Sequence, residues 1–236
     1  MLVQPAVRPV PAPVHTRERP VEGDPVQIAI VLYDRFTALD AVGPYDTLGR
    51  LPGAETVFVA ERTGPVRNDS GSLALVAERT LAEVPAPDIV IVPGGPGQTA
   101  QMDNPVLLDW LRSADATSTW TTSVCTGSLL LAAAGLLEGR RATSHWLALE
   151  TLRTYGAAPT GERVVTDGKY VTAAGVSSGI DMGLTLLGRI AGDRAAQAVQ
   201  LLTEYDPQPP YDAGSPEKAP ADLVEEWRAK SRFILQ

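Results

Sequence analysis

The segment Thr122-Ser-Val-Cys125-Thr126-Gly-Ser-Leu-Leu-Leu-Ala-Ala-Ala-Gly135 decides the fold and contains the chain's single cysteine. Polar and β-branched residues over 118–124 are typical of a short buried strand, and the leucine and alanine run is typical of a helix that Gly135 ends. Cys125 is therefore predicted at a nucleophile elbow, where a strand turns into a helix. Helix N–H groups favour negative charge there, so we expect this thiol to ionise more readily than a free cysteine. The alternative, a buried structural cysteine, is less favoured by this context.

The composition fits a single globular α/β domain. The chain has 236 residues, of which 44% are hydrophobic and 20% are charged. Its net charge of −8 argues against a basic nucleic-acid surface, and no apolar run approaches the roughly 20 residues that span a bilayer. One cysteine fits a reducing, cytoplasmic compartment. The two histidines, His15 and His145, form no cluster of metal ligands with it, so we expect no metal, nucleic acid or membrane partner.

Strand and helix signals alternate along the chain. Residues 1–25 contain six prolines and no aromatic residue, which predicts a disordered arm, and 26–236 are predicted to form one domain. The predicted strands are 26–33, 55–61, 88–93, 118–124 and a hairpin pair at 164–166 and 170–172. The predicted helices are 38–51, 105–116 with Asn104 as cap, 126–135, 146–155 with Ser144 as cap, 179–191, 194–205 and a last charged helix. This order predicts a doubly wound, mostly parallel sheet with helices on both faces.

Three loops at the carboxyl ends of predicted strands carry residues suited to chemistry. Asp40 lies among apolar residues in the first crossover, either as a cap or as a carboxyl group with a raised pKa that moves protons beside the thiol. Gly94-Gly95 form either an ordinary turn or a pair of backbone amides open to an anion. His145 either lines the pocket or caps a helix. Thr126 cannot act as a base, so the residues indicate attack by the thiol with help from a carboxyl group.

Six segments together resemble a known superfamily. They are Leu39-Asp-Ala-Val-Gly-Pro44, Ile91-Val-Pro-Gly-Gly95, the cysteine segment, Gly139-Arg-Arg-Ala-Thr-Ser-His-Trp146, Ser178-Gly-Ile-Asp181 and Tyr211-Asp-Ala-Gly-Ser-Pro216. The chain resembles the superfamily of the parkinsonism-associated protein deglycase and the archaeal intracellular protease, and within it the isonitrile hydratase branch. Proteolytic members have histidine where this chain has Thr126, and the glyoxalase and deglycase branches usually have glutamate where it has Asp40.

The resemblance implies a flavodoxin-like homodimer without metal or organic cofactor. It implies a carbon–nitrogen hydro-lyase that converts an isonitrile and water into an N-substituted formamide by covalent cysteine catalysis with aspartate acid/base assistance. The expected catalytic residues are the nucleophile Cys125, the acidic partner Asp40 and the neighbouring Thr126. The expected substrate-binding residues are Gly94, Gly95, His145 and Val176.

Two other interpretations stay open at the level of sequence. Arabinose-operon-type transcription regulators carry an amino-terminal domain with similar Cys-Thr-Gly and Thr-His-Trp segments, so the chain could be a non-catalytic ligand-sensing domain. One charged helix stands where the DNA-binding part of those regulators begins, and the acidic balance argues against DNA binding. An exposed cysteine of low pKa could instead be a redox sensor, although the chain has no second cysteine to resolve it.

Overall fold

The computed structural model describes residues 25–231, so the predicted arm falls outside the described residues except for Pro25. The strands are β1 (Val26–Val31), β2 (Ala54–Ala60), β3 (Gly64–Arg67), β4 (Ala74–Ala77), β5 (Arg79–Thr80), β6 (Ile89–Val92), β7 (Trp120–Val124), β8 (Arg141–Ala142), β9 (Ala158–Pro159), β10 (Val164–Asp167) and β11 (Tyr170–Ala173). The helices are α1 (Ala38–Leu48), α2 (Gln98–Gln101), α3 (Pro105–Thr117), α4 (Gly127–Ala133), α5 (Leu149–Thr154), α6 (Ser178–Ala191), α7 (Asp193–Leu202) and α8 (Ala221–Ala229). Two 3₁₀ turns cover Leu81–Glu83 and Trp146–Ala148.

Seven strands form one sheet in the order β10-β11-β7-β6-β1-β2-β5. All neighbours pair in parallel except β10 and β11, which form an antiparallel hairpin. Helices α1, α6 and α7 pack together as one set, and α2 to α5 pack together as another. The predicted doubly wound, mostly parallel sheet is therefore confirmed. The chain leaves β1 towards β2 and returns to β6 on the other side of β1, which creates a topological switch point between β1 and β6.

Strand β6 is apolar throughout, and β1 is apolar except for Gln27, because helices cover both faces of the sheet. Ile28, Ile30, Ile89 and Ile91 are at most 1% exposed. The register brings the carboxyl ends of β1, β6 and β7 to the same edge of the sheet. The loops after these three strands are therefore neighbours in space, as the sequence predicts.

Helix α1 presents small residues to α6, so the two helices approach closely. A Cβ atom added to Gly179 would lie 3.1 Å from Cδ of Pro44, and one added to Gly183 would collide with the Thr47 hydroxyl. Leu39 of α1 is 42% exposed, whereas Leu48 of the same helix is fully buried. The buried face of α1 consists of Asp40, small residues and Leu48.

The capping residue predicted for α3 is confirmed, whereas the one predicted for the helix over 146–155 is wrong. Asn104 caps α3 as predicted, since its side chain accepts the Val106 N–H at 3.1 Å. The predicted helix over 146–155 is instead a 3₁₀ turn followed by α5. Its cap is His145, which accepts the Leu147 N–H at 3.3 Å. The cap assigned to Ser144 was wrong, because that hydroxyl donates to the carbonyl of Cys125.

Candidate active site

Cys125 occupies the predicted elbow between β7 and α4 in a strained backbone conformation, with φ at +57°. Its N–H donates to the carbonyl oxygens of Ala173 and Ala174, at 3.0 and 3.1 Å. Its carbonyl oxygen accepts the hydroxyls of Ser128 and Ser144, each at 3.1 Å. A non-glycine residue keeps a positive φ only where its surroundings hold it, and these four hydrogen bonds do so.

The first turn of α1 places Asp40 next to this cysteine. The carboxyl group is fully buried, and its Oδ2 accepts the Gly94 N–H at 2.8 Å. Its other oxygen, Oδ1, makes no well-aligned hydrogen bond within residues 25–231. The Cys125 thiol interacts with this carboxyl. The fold thus pairs two groups that are 85 positions apart in the chain.

The environment keeps the Asp40 carboxyl protonated near neutral pH. Burial raises its pKa from 3.8 to about 8, although the Gly94 amide and the Cys125 thiol act in the opposite direction. The charge of Asp69 adds a small further increase in the pKa. Of the two roles that the sequence left open for Asp40, the structure favours the carboxyl group of raised pKa. A group that titrates near pH 8 can both give and accept a proton.

The Cys125 thiol is neutral, contrary to the expectation of ready ionisation. Burial raises its pKa well above its ordinary value, and the negative charge of Asp40 raises the pKa further. The Thr126 amide and hydroxyl lower the thiol pKa by less. The expectation was wrong because Cys125 is 5% exposed and next to an acid, while α4 has only two turns. The thiol and carboxyl therefore titrate as one coupled pair.

Gly94 and Gly95 adjoin the site, but their backbone N–H groups are hydrogen-bonded within the protein and are not open to an anion. The Gly94 N–H donates to Asp40, and the Gly95 N–H donates to the Thr126 hydroxyl oxygen at 3.0 Å. A Cβ atom on Gly94 would lie 2.5 Å from the Thr126 nitrogen and 3.0 Å from Asp40 Oδ2. Both amides are already bonded to neighbouring side chains, so the interpretation of them as an open anion site is corrected. Only glycine at position 94 lets the acid and Thr126 approach so closely.

The other two expected residues, His145 and Val176, line a cavity of about 430 Å³, which we call the elbow cavity. Its wall also includes Ser144 and Ala174, both hydrogen-bonded to the Cys125 backbone. The His145 ring lies against Gly175, where a Cβ atom would collide with it. His145 therefore has both of the roles left open by the sequence, as a cap and as a cavity wall.

Several residues of the site escaped sequence reasoning. Ser144 supports the elbow from 19 positions away. Arg163, the residue before β10, and Arg228 of α8 also line the elbow cavity. Trp146 lines the cavity too. A signal existed for Ser144 and Trp146, because both belong to the Gly139–Trp146 segment that carries the resemblance. The two arginines belong to no motif.

Residues 25–231 contain neither a cluster of metal ligands nor a membrane-spanning helix. No group of three or more His, Cys, Asp or Glu side chains in this part of the chain could hold a metal ion. No helix in this part is both long enough and apolar enough to cross a membrane. The groups that define the site are the Cys125 thiol, the Asp40 carboxyl and the Thr126 hydroxyl.

The protein is therefore of the α/β class, with its candidate site at the edge of a mostly parallel sheet. The site consists of a cysteine in a strained turn between a strand and a helix and a buried carboxyl group beside it. The DJ-1/PfpI family model matches residues 26–189, and the chain belongs to that family. The chain is 44% identical to isonitrile hydratase of Pseudomonas putida over 211 residues, which are 89% of this chain and 92% of that protein.

Two further similarities agree with this placement. The crystal structure of a THiJ/PfpI family protein from Pseudomonas syringae has a TM-score of 0.85 at 40% identity, covering 88% of this chain and 86% of that one. The HTH-type transcriptional regulator CdhR of Pseudomonas aeruginosa is 33% identical over 138 residues, which are 58% of this chain and 40% of the regulator.

Proposed function

We propose that this protein hydrates an isonitrile to an N-substituted formamide by covalent catalysis at Cys125. The observation that carries the proposal is the buried pair of Cys125 and Asp40, with the carboxyl pKa raised to about 8. An isonitrile carbon must gain both a nucleophile and a proton, and this pair offers both at one place. The 44% identity to isonitrile hydratase supports the same substrate class.

In the first step, Asp40 acts as the proton relay. The sulfur of Cys125 forms a bond to the terminal carbon of R–N≡C, and the carbon receives a proton from the Asp40 carboxyl. The thiol proton passes to the carboxyl, which is thereby restored. The product of this step is a thioimidate, R–N=CH–S–Cys125, and no external oxidant or reductant is needed. General acid–base help of this kind contributes about 10²–10⁴-fold.

In the second step, water adds to the thioimidate carbon and its nitrogen is protonated. The tetrahedral species R–NH–CH(OH)–S–Cys125 then loses the sulfur as the carbon–oxygen double bond forms. The hydroxyl proton returns to the sulfur through Asp40, and R–NH–CHO leaves. The Thr126 amide and hydroxyl stabilise negative charge on the departing sulfur, in line with their effect on the thiol pKa.

We further propose that the protein acts as a cytoplasmic homodimer on small molecules. The resemblance to the superfamily supports a dimer, and the single cysteine supports a reducing compartment. Leu201 and Leu202, on α7, are 78% and 67% exposed and provide apolar area for a second copy. Sedimentation analysis of the purified protein tests the oligomeric state, and a monomer at all concentrations would contradict this part of the proposal.

The decisive experiment follows formamide formation by NMR after adding a simple alkyl isonitrile. We expect turnover in the wild type, none in Cys125→Ala, and a decrease of about 10²-fold or more in Asp40→Asn. The matched control is Asp115→Asn, because Asp115 is another buried acid, bonded to Thr121 and Tyr170 and outside the site. Turnover that persists in Cys125→Ala would refute covalent catalysis.

A ligand-sensing domain is the second candidate. The similarity to CdhR over 58% of this chain favours it. A sensor would bind a small ligand without converting it, so it predicts no formamide with any isonitrile while Cys125 is reduced. A redox sensor is less well supported, because the raised pKa of Cys125 leaves little of the thiolate that oxidants attack.

A further inference from the structure

The N–H group and the carbonyl group of Cys125 are held by different parts of the chain. The N–H donates to the end of β11 and the residue after it, through the carbonyl oxygens of Ala173 and Ala174 at 3.0 and 3.1 Å. The carbonyl oxygen of Cys125 accepts two hydroxyl groups, those of Ser128 and Ser144, each at 3.1 Å. The elbow is therefore held on both sides, by backbone on one side and by serine side chains on the other.

The two serine hydroxyls differ in what they connect. Ser128 lies three positions after Cys125 in α4, the helix that continues from the elbow, so its bond stays within one turn of the chain. Ser144 lies 19 positions after Cys125, in the segment between β8 and the 3₁₀ turn. A bond within one turn moves with the elbow, whereas a bond from a separate segment fixes the elbow relative to the rest of the domain. Of the two hydroxyls, that of Ser144 does the latter.

The segment that carries Ser144 is itself held before and after this residue. Before it, β8 pairs with β9, and the Thr143 N–H donates to the hydroxyl of Thr172 on β11 at 2.8 Å. After it, His145 caps the 3₁₀ turn through the Leu147 N–H at 3.3 Å. Ser144, Thr143 and Thr172 are each 1% exposed. The Ser144 hydroxyl is therefore tied to β11, the same strand that holds the Cys125 N–H.

The distance between the thiol of Cys125 and the carboxyl of Asp40 depends on this attachment. Asp40 is placed by α1 and by the Gly94 N–H at 2.8 Å, neither of which belongs to the elbow. Cys125 has a φ of +57°, a conformation that persists only where the surroundings hold it. Reacting groups need close alignment, and a displacement of about 1 Å costs about 100-fold in rate. An elbow that loses its attachment is therefore expected to carry the thiol away from its proton partner.

Building on the proposed function, we propose that Ser144 is a positioning residue, whose hydroxyl holds the Cys125 carbonyl so that the thiol stays beside Asp40. The hydroxyl donates to a backbone carbonyl and transfers no proton in the reaction. Its role is to keep the elbow in the strained conformation that pairs the thiol with the carboxyl. The reaction therefore depends on the hydroxyl group at position 144 and not on the volume of the side chain.

The test compares Ser144→Thr with Ser144→Val, because these side chains have nearly the same shape and differ in the hydroxyl group. We expect Ser144→Val to lower kcat for a simple alkyl isonitrile about 10-fold or more, with KM little changed, and Ser144→Thr to keep most of kcat. Ser144→Ala, which removes the hydroxyl without adding volume, should also lower kcat. An Ser144→Ala variant as active as the wild type, or an Ser144→Thr variant no more active than Ser144→Val, would overturn the proposal.

The matched control is Ser118→Ala. Ser118 is another buried serine whose hydroxyl donates to a backbone carbonyl, that of Asp115, and it lies outside the site. Its loss should leave both kcat and KM at their wild-type values. A decrease in kcat as large as that of Ser144→Ala would mean that any buried serine has this effect, which would overturn a specific role for Ser144.

Alkylation of Cys125 separates this inference from the proposed reaction, because it needs no isonitrile. A displaced thiol is less covered and farther from Asp40, and both changes lower its pKa. Iodoacetamide at alkaline pH should therefore modify Ser144→Val several-fold faster than the wild type or Ser144→Thr, as followed by mass spectrometry. Faster alkylation in a protein that turns over no isonitrile would leave the positioning role standing and remove the reaction. Equal alkylation rates in Ser144→Val and Ser144→Thr would overturn the positioning role.

Discussion

At the scale of single residues, the reactivity of the site depends on whether the Cys125 thiol and the Asp40 carboxyl carry their protons. The sulfur of Cys125 and the carboxyl of Asp40 are both buried, and both have raised pKa values. A neutral thiol is inert towards most electrophiles, so the pair avoids side reactions until a substrate that can accept a proton arrives. The Gly94 amide and Thr126 hold this arrangement.

The first prediction concerns the reactivity of the thiol. Asp40→Asn removes the negative charge that raises the thiol pKa, so more thiolate is present at pH 9. We expect iodoacetamide to modify Cys125 several-fold faster in this variant than in the wild type, even though isonitrile turnover decreases. Mass spectrometry gives the rate without ambiguity because the chain has one cysteine.

The control for this experiment is Asp69→Asn. It also removes one negative charge near the site, but Asp69 affects Asp40 weakly and is exposed. Its alkylation rate should stay close to the wild-type rate. An Asp40→Asn variant that reacts no faster than the wild type would show that the carboxyl does not set the thiol pKa.

At the scale of elements, the position of Asp40 depends on how closely α1 packs on α6. Sequence patterns predicted both helices, because apolar spacing and caps are local signals. They did not predict the buried face of α1, because glycines at a helix contact look the same in sequence as glycines elsewhere. In that helix Leu39 is exposed and Asp40 is buried.

The second prediction tests that contact. In Gly183→Ala the new methyl group meets the Thr47 hydroxyl, so we expect the free energy of unfolding to fall by about 1–3 kcal/mol. Gly188→Ala lies in the same helix, where the nearest atoms to a Cβ are 3.6 Å away. It should be neutral or stabilise by up to about 1 kcal/mol. Urea denaturation of both variants checks the difference, and equal stabilities would contradict close packing at position 183.

At the scale of the whole molecule, the buried acid links folding to pH. The pKa of Asp40 rises from 3.8 to about 8 on folding, so below pH 4 the carboxyl is protonated in both states and has no effect. Between pH 4 and 8 the unfolded chain releases this proton and the folded protein keeps it. The contribution of Asp40 to stability therefore falls with rising pH, by up to about 1.4 kcal/mol per unit, and levels off above pH 8.

The third prediction is that Asp40→Asn lacks this dependence. The free energy of unfolding of the variant, minus that of the wild type, should increase from pH 4 to 8 and then stay constant. Denaturation at several pH values measures it, and the subtraction cancels the other titrating groups. A difference that is flat over this range would mean that the pKa of Asp40 is close to its ordinary value in the folded protein.

The sequence by itself determined the alternation of strands and helices, the elbow at Cys125 and the capping of α3, and it left Asp40 as either a cap or a carboxyl group of raised pKa. These depend on local periodicity, on caps, and on an acid placed among apolar neighbours. Only the tertiary structure decided that the thiol is neutral, that the Gly94 and Gly95 amides are engaged, and that Ser144 bonds to the backbone of Cys125. Burial and contacts between distant segments control these properties, and both arise only when the loops after β1, β6 and β7 meet.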